Sequence, residues 1–186
     1  QFRAILERYV FVVDKIQRVL AGIEPELAEA RPLEGDARRL PLEDSSIDGI
    51  LFSPPYSFAI DYLENDSFHL GFLRVDIEEL REAMIGLRGR TLRQKYDLYR
   101  EDMRKVLCEC ARVLRPSRMC TIIVGTNNNQ LSKVLGVPPS HVQGIDELLV
   151  ELGSQCGLQL VRKLERQISG MANTMRTEYI LILQRT

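Results

Sequence analysis

Ser53, Pro54, Pro55 and Tyr56 place a hydroxyl, two ring-locked backbone units and an aromatic ring on four consecutive residues. Each proline fixes its own φ and lacks an N–H, and a residue ahead of proline is pushed to extended geometry. The tetrapeptide is therefore a stiff bend whose carbonyls face no competing ladder. A hydroxyl and a carbonyl held at fixed spacing can accept hydrogen bonds from an amine. The ring beside them can stack on a planar group. Taken alone, the same residues also suit a rigid turn or a ligand for a small peptide-binding domain. Two more groups stand out. Asp36 follows a glycine and precedes Ala37-Arg38-Arg39, where it can cap the turn. Residues Gly86 to Lys95 carry Arg88, Arg90, Arg93 and Lys95 with no acidic residue. That run can hold phosphates, or be a solvated loop whose charges pair with Glu79 and Glu82.

These groups need elements to position them. Ile47-Asp48-Gly49-Ile50-Leu51-Phe52 is an apolar run after the turn residues Asp44-Ser45-Ser46 and reads as a buried strand. The bend would then sit at a strand's C-terminal end, where ligands bind in open α/β sheets. Leu33 to Asp36 reads as a short strand leading into a loop.

The surroundings of the bend carry a resemblance. Ser53-Pro54-Pro55-Tyr56 after an apolar strand resembles the catalytic motif of the DNA amino-methyltransferases. Gly35-Asp36-Ala37-Arg38, Leu40-Pro41-Leu42, Asp44-Ser45-Ser46-Ile47-Asp48 and Ile60-Asp61-Tyr62 are similar to that family too. The family transfers a methyl group from S-adenosylmethionine to the exocyclic amine of adenine (N6) or cytosine (N4) in DNA. The resemblance implies an α/β fold with a class I methyltransferase-like, Rossmann-like sheet, mostly parallel, with an antiparallel C-terminal strand. It implies that Ser53, Pro54, Pro55 and Tyr56 are catalytic and that Asp36, Ala37 and Ser53 contact the cofactor. Tyr56 would stack on a flipped-out base, while Ser53 and the Pro54 carbonyl would accept from its amine. Serine at the first position leans towards cytosine. Arg88, Arg90, Arg93 and Lys95 would contact nucleic acid, DNA first and RNA as the alternative.

One part of the family pattern is not found. The cofactor's Gly-rich turn after a first strand has no counterpart, since the pair Gly86 and Gly89 lies in the basic run. The resemblance spans roughly residues 33–186, so the first two strands are expected to be absent. The missing cofactor-binding half, or a homodimer, is the expected partner. A non-catalytic, degenerate module for assembly or nucleic-acid binding is the reading from another class.

Size and composition set outer limits. The chain has 186 residues, 45% hydrophobic, with 25 basic against 26 acidic side chains and net charge −1. One domain of residues 1–186 is expected, with an N-terminal helical segment (1–31) and a helical insertion (57–95) near the target-base site. A strongly cationic nucleic-acid binder is excluded, so any DNA contact uses a local patch. No apolar run is long enough to span a bilayer and no secretory signal is visible, which gives a cytoplasmic expectation and no membrane partner. Cys108, Cys110, Cys120 and Cys156 lack metal-site spacing and read as reduced, mostly core thiols.

Helical spacing predicts an amphipathic helix from Phe2 to Leu20, ending near Gly22, and a second starting at Pro25. One or two helices are expected from residue 58 to 73 and another over 77–87. A clear amphipathic helix runs through Leu98, Met103, Val106, Leu107, Cys110 and Leu114, closed by Pro116. Met119 to Val124 is a strand, and Asn127-Asn128-Asn129 reads as loop rather than site. Pro138-Pro139-Ser140 reads as a linker. A helix follows through Ile145, Leu148, Leu149 and Leu152, stopped at Gly157. Strands from Leu158 and over Thr177–Leu183 form a closing antiparallel pair.

Overall fold

A computed structural model describes residues 2–21, 29–55, 61–167 and 177–186. The chain divides into two compact units, residues 1–34 and 35–186. In the first, α1 spans Phe2–Ala21. It is laced on its polar side by Arg3–Glu7 at 2.9 Å and Asp14–Arg18 at 2.5 Å, both at the four-residue spacing that brings side chains together. The helix expected from Pro25 lies outside the described residues up to residue 28.

The second unit is built on a four-stranded mixed sheet in the order β1-β2-β4-β3. The strands are β1 (Ile47–Phe52), β2 (Leu114–Gly125), β3 (Leu158–Gln167) and β4 (Thr177–Arg185). β1 and β2 pair in parallel, whereas β4 runs antiparallel to both β2 and β3. Three strands therefore point one way and the C-terminal strand opposes them. The closing antiparallel pair stands at one end of the sheet as expected, with β3 as the edge strand and β4 between β3 and β2.

Helices connect the strands that point the same way. After β1 come α2 (Tyr62–Asn65), α3 (Ser67–Phe72), α4 (Ile77–Ala83) and the long α5 (Leu92–Val113). α6 (Asn128–Leu135), a 3-10 turn at Pro139–His141 and α7 (Ile145–Gln155) lead from β2 to β3. The 3-10 turn occupies the expected linker. The register decides which sheet face is covered. Ile50, Cys120 and Leu183 form one cross-strand row, and Phe52, Ile122 and Leu181 another. Cys120, Ile122, Leu181 and Leu183 are fully buried, in one core with Leu107 of α5 and with Leu148, Leu149 and Leu152 of α7. Alternation sends Leu51, Thr121 and Ile182 to the other face. There Leu51 is 69% exposed, so β1 is not buried on both faces as its composition predicts.

The loop entering β1 is strapped to the end of α5. Arg112 donates to the carbonyls of Leu42 (2.8 Å) and Leu40 (3.1 Å), and the Leu40 N–H donates to Glu109 (2.8 Å). Ser45 and Ser46 N–H groups donate to the carbonyls of Arg112 and Val113. These bonds use the carbonyls at the helix C-terminus that have no intrahelical partner.

The structure corrects several expectations. Residues 33–36 form no strand, because only an isolated bridge, Asp36 to Arg39, pairs there. The basic loop ends at Thr91, not Lys95: the Thr91 hydroxyl caps α5 by accepting from Gln94 N–H at 3.1 Å. Thr91-Leu92-Arg93-Gln94 has the spacing of a capping box. Asn127-Asn128-Asn129 opens α6, with Asn127 as its cap. The thiols are not all reduced. Cys108 of α5 is disulfide-bonded to Cys156 at the end of α7, while Cys110 and Cys120 are buried free thiols. Cys108 points away from Cys110 on the helix, and that turn carries it to the neighbouring helix.

Candidate functional site

Ser53, Pro54 and Pro55 leave the C-terminal end of β1 directly after Phe52. The Ser53 hydroxyl donates to the Ile123 carbonyl of β2 at 2.9 Å. Its proton is thereby committed and its two lone pairs are left to accept from other donors. Ser53 is exposed, Pro54 buried and Pro55 half-buried. The hydroxyl thus stands at the sheet edge on a bend whose second residue is locked inside. Tyr56 lies outside the described residues, as do those up to residue 60. The chain returns at Asp61, which caps α2 through the N–H groups of Leu63 and Glu64 and pairs with Arg81 at 3.0 Å.

Asp36 sits in the turn that its sequence suggests. Its Oδ1 accepts from Arg38 N–H at 2.8 Å, and the Arg38 guanidinium grips both carboxylate oxygens at 2.7 to 3.0 Å. The hydrogen bond from the Arg38 side chain holds the Asp36 carboxyl below its ordinary value, outweighing the opposing effect of desolvation. Arg38 also donates to the Ala83 carbonyl at 2.9 Å and reaches Asp102 of α5 at 3.3 Å. Arg88 donates to that same Asp102 oxygen at 2.7 Å. Asp102 is 1% exposed. A buried carboxylate shared by two guanidiniums thus joins the Asp36 turn to the basic run. Asp102 Oδ2 and Arg88 Nε are buried with no hydrogen-bond partner among the described residues.

The four basic side chains are therefore not equivalent. Arg88 is held by Asp102, and Arg93 pairs with Asp97 one turn along α5 at 3.2 Å. Neither pairs with Glu79 or Glu82. Arg90 is exposed and Lys95 half-buried, and no ion pair holds either one among the described residues. No hydrogen bond or ion pair joins Ser53 to Asp36 among the described residues. Ala37 is exposed in the Asp36 turn.

Sequence reasoning missed a polar cleft further along the same edge. Its volume is about 550 Å³, and its lining includes Thr126, Asn128, Asp146, Lys163 and Tyr179. Asp146 is 4% exposed; it accepts from the Thr126 hydroxyl at 2.8 Å and from the Lys163 ammonium. Lys163 also lies over the Tyr179 ring, 4.3 Å from its centroid. Burial alone would lower the Lys163 ammonium, but the Asp146 bond and charge outweigh it and raise it. The cluster fixes Thr126, three residues after the carbonyl that binds Ser53. Its one sequence signal was an acid ahead of the apolar α7 positions Leu148, Leu149 and Leu152, whereas Asp102 is hidden in a charged stretch of α5.

No family model matches the chain, and no curated protein matches it. Solved structures do resemble it. A candidate DNA modification methylase from Thermus thermophilus aligns at 16% identity over 81% of this chain and 50% of that one, with a TM-score of 0.47. A SAM-dependent methyltransferase from Methanosarcina mazei aligns at 12% identity over 87% of this chain and 72% of that one, with a TM-score of 0.46. A 16S rRNA (adenine(1408)-N(1))-methyltransferase variant from Catenulisporales acidiphilia aligns at 13% identity over 81% and 56%, with a TM-score of 0.39. The chain spans about half the length of the Thermus protein.

Proposed function

We propose that this chain is the target-base side of an S-adenosylmethionine-dependent methyltransferase acting on an exocyclic amine of a nucleobase in DNA, cytosine N4 ahead of adenine N6. The observation that carries the reading is the Ser53 hydroxyl, pinned to the Ile123 carbonyl at the C-terminal sheet edge and followed at once by Pro-Pro-Tyr. With its proton donated inward, Ser53 accepts from one N–H of the target amine and the Pro54 carbonyl from the other. Two acceptors on the two N–H groups orient the nitrogen lone pair towards the reacting carbon. Tyr56 stacks on the extruded base. Arg90, Arg93 and Lys95 contact phosphates, with Arg88 serving the run from a fixed position on Asp102. In this reading the 57–95 segment is the part of the chain that meets the target base.

The residues fit the cofactor in part. The Asp36 carboxylate is of the right type to accept from an adenine amine, although Arg38 now contacts both of its oxygens, and Ala37 and Ser53 would line the same end. The sequence has no Gly-x-Gly turn for the rest of the molecule. S-adenosylmethionine, when bound, supplies an electrophilic methyl group; the residues of this chain present and orient the acceptor amine. A complementary polypeptide, or a second copy, would complete the holder along the free edge of β1.

The partial fit and the Arg38 grip on Asp36 favour a second reading, a non-catalytic methyltransferase-like module for assembly or nucleic-acid binding. Calorimetric titration of S-adenosylmethionine into the complete protein separates the two. The methyltransferase reading expects saturable binding that weakens about tenfold in Asp36→Ala. Absence of binding, together with retained binding of DNA or RNA, would establish the module instead.

A further inference from the structure

We propose that α2–α4 form a protein-docking surface for a cationic amphipathic helix of a partner. This inference goes beyond methyl transfer and does not depend on it. Phe68 and Phe72 lie four residues apart on α3, hence on one face, and are 82% and 83% exposed. Leu73 follows at 67% exposed, while Leu70 turns inward, half-buried. The His69 ring meets Phe68 edge-on with centroids 5.7 Å apart. A contiguous exposed aromatic patch is informative where a lone exposed leucine is not.

Area and charge choose the occupant. Two phenylalanines and a leucine offer roughly 300–500 Å² of apolar surface. That falls short of the approximately 800 Å² per partner of a stable globular interface, which argues against a second copy lying flat on the patch. It matches the apolar stripe of one helix laid across anchor residues. Residues 61–83 carry seven acidic side chains and two arginines, one of which, Arg81, is committed to Asp61. Such a surface repels phosphates and attracts a helix whose polar face is basic. The insertion thus has two opposite halves: an acidic, phenylalanine-bearing half and the basic run that follows it.

The test uses a synthetic 14-residue peptide of leucine and lysine in helical register, with a scrambled version, a glutamate version and a single-stranded oligonucleotide as controls. Fluorescence anisotropy on the full chain is expected to give micromolar binding of the lysine peptide alone. Phe68→Ala/Phe72→Ala should weaken it at least tenfold with an unchanged melting temperature, since both rings are exposed. Glu78→Lys/Glu82→Lys should weaken it several-fold, and more at low salt than at high salt. The proposal is overturned if no probe binds, if the scrambled peptide or the oligonucleotide binds equally well, or if the phenylalanine variant binds like wild type. It is equally overturned if that variant alters only the mass of a self-associated chain in light scattering.

Discussion

At the scale of single residues, most polar groups of the site are already committed to partners within the chain. Ser53 has given its proton to Ile123. Ser53→Ala should cost about 1 kcal/mol of stability, the usual net worth of one hydrogen bond, and at least tenfold in methyl transfer; stability and turnover measured together separate the two. Tyr56→Ala should lower turnover while the fold survives, because stacking on a base is worth roughly 1–3 kcal/mol. Wild-type turnover in that variant would remove Tyr56 from the site. Asp102 plays the opposite part, buried beneath Arg38 and Arg88. Asp102→Ala leaves the partly buried Arg88 guanidinium without its counter-charge, while Arg38 keeps Asp36, and should destabilise the fold by about 3 kcal/mol in urea titration. The bend at Ser53 was legible because two prolines announce it locally. Asp102 was not singled out from the sequence, since its partners lie 14 and 64 residues away. Arginine partners also set the acid response. Arg38, Arg81 and Arg112 hold the carboxyls of Asp36, Asp61 and Glu109 below their ordinary values. A depressed carboxyl stabilises the fold above its unfolded pKa and loses that contribution as pH falls through the folded one. The melting temperature should therefore be level between roughly pH 7 and pH 5 and fall below about pH 4. A melt unchanged down to about pH 3 would contradict this.

At the scale of elements, α5 and α7 follow from periodicity, because each buries one apolar stripe, and β1, β3 and β4 follow from apolar runs, although of β3 Leu158 is the fully buried residue. The expectations that failed depended on partners. Leu33–Asp36 has strand composition, but a strand exists only beside another, and only Arg39 pairs there. The start of α5 was readable in Thr91 and Gln94 and was hidden by the two glycines before it. The α5–α7 disulfide could not be read from spacing, since its cysteines are 48 residues apart. Closing a loop of that length restricts the unfolded chain, by about 4 kcal/mol in the chain-entropy description. Cys156→Ser, or reduction with dithiothreitol, should lower stability by about 2–4 kcal/mol. Thiol counting in denaturant without reductant should find two free cysteines, Cys110 and Cys120; titration of Cys108 and Cys156 as well would show that the bridge does not form.

At the scale of the whole molecule, the opposing C-terminal strand and the closing antiparallel pair were foreseen, whereas the order of the strands was not read from the sequence. β1 reads as a buried strand by composition, yet the expected absence of the first two strands makes it an edge, and it is an edge strand in the sheet, because burial of such a strand depends on what lies beyond it. Leu51 stands 69% exposed there, and an open edge with an apolar side chain favours pairing with further chain. Light scattering at micromolar concentration should give more than one chain's mass, and a clean monomer would count against completion along β1. The cleft at Asp146 was out of reach because it gathers strand ends and a helix start that no local motif records. The central claim is that the Ser53 edge presents an exocyclic amine for methylation, and base analysis tests it most directly. The complete protein would be incubated with methyl-labelled S-adenosylmethionine and DNA, and the nucleosides separated by mass spectrometry. The account predicts label on cytosine N4 or adenine N6, reduced at least tenfold by Ser53→Ala. Label on a ring carbon or ring nitrogen, or undiminished labelling by the Ser53→Ala protein, would contradict it.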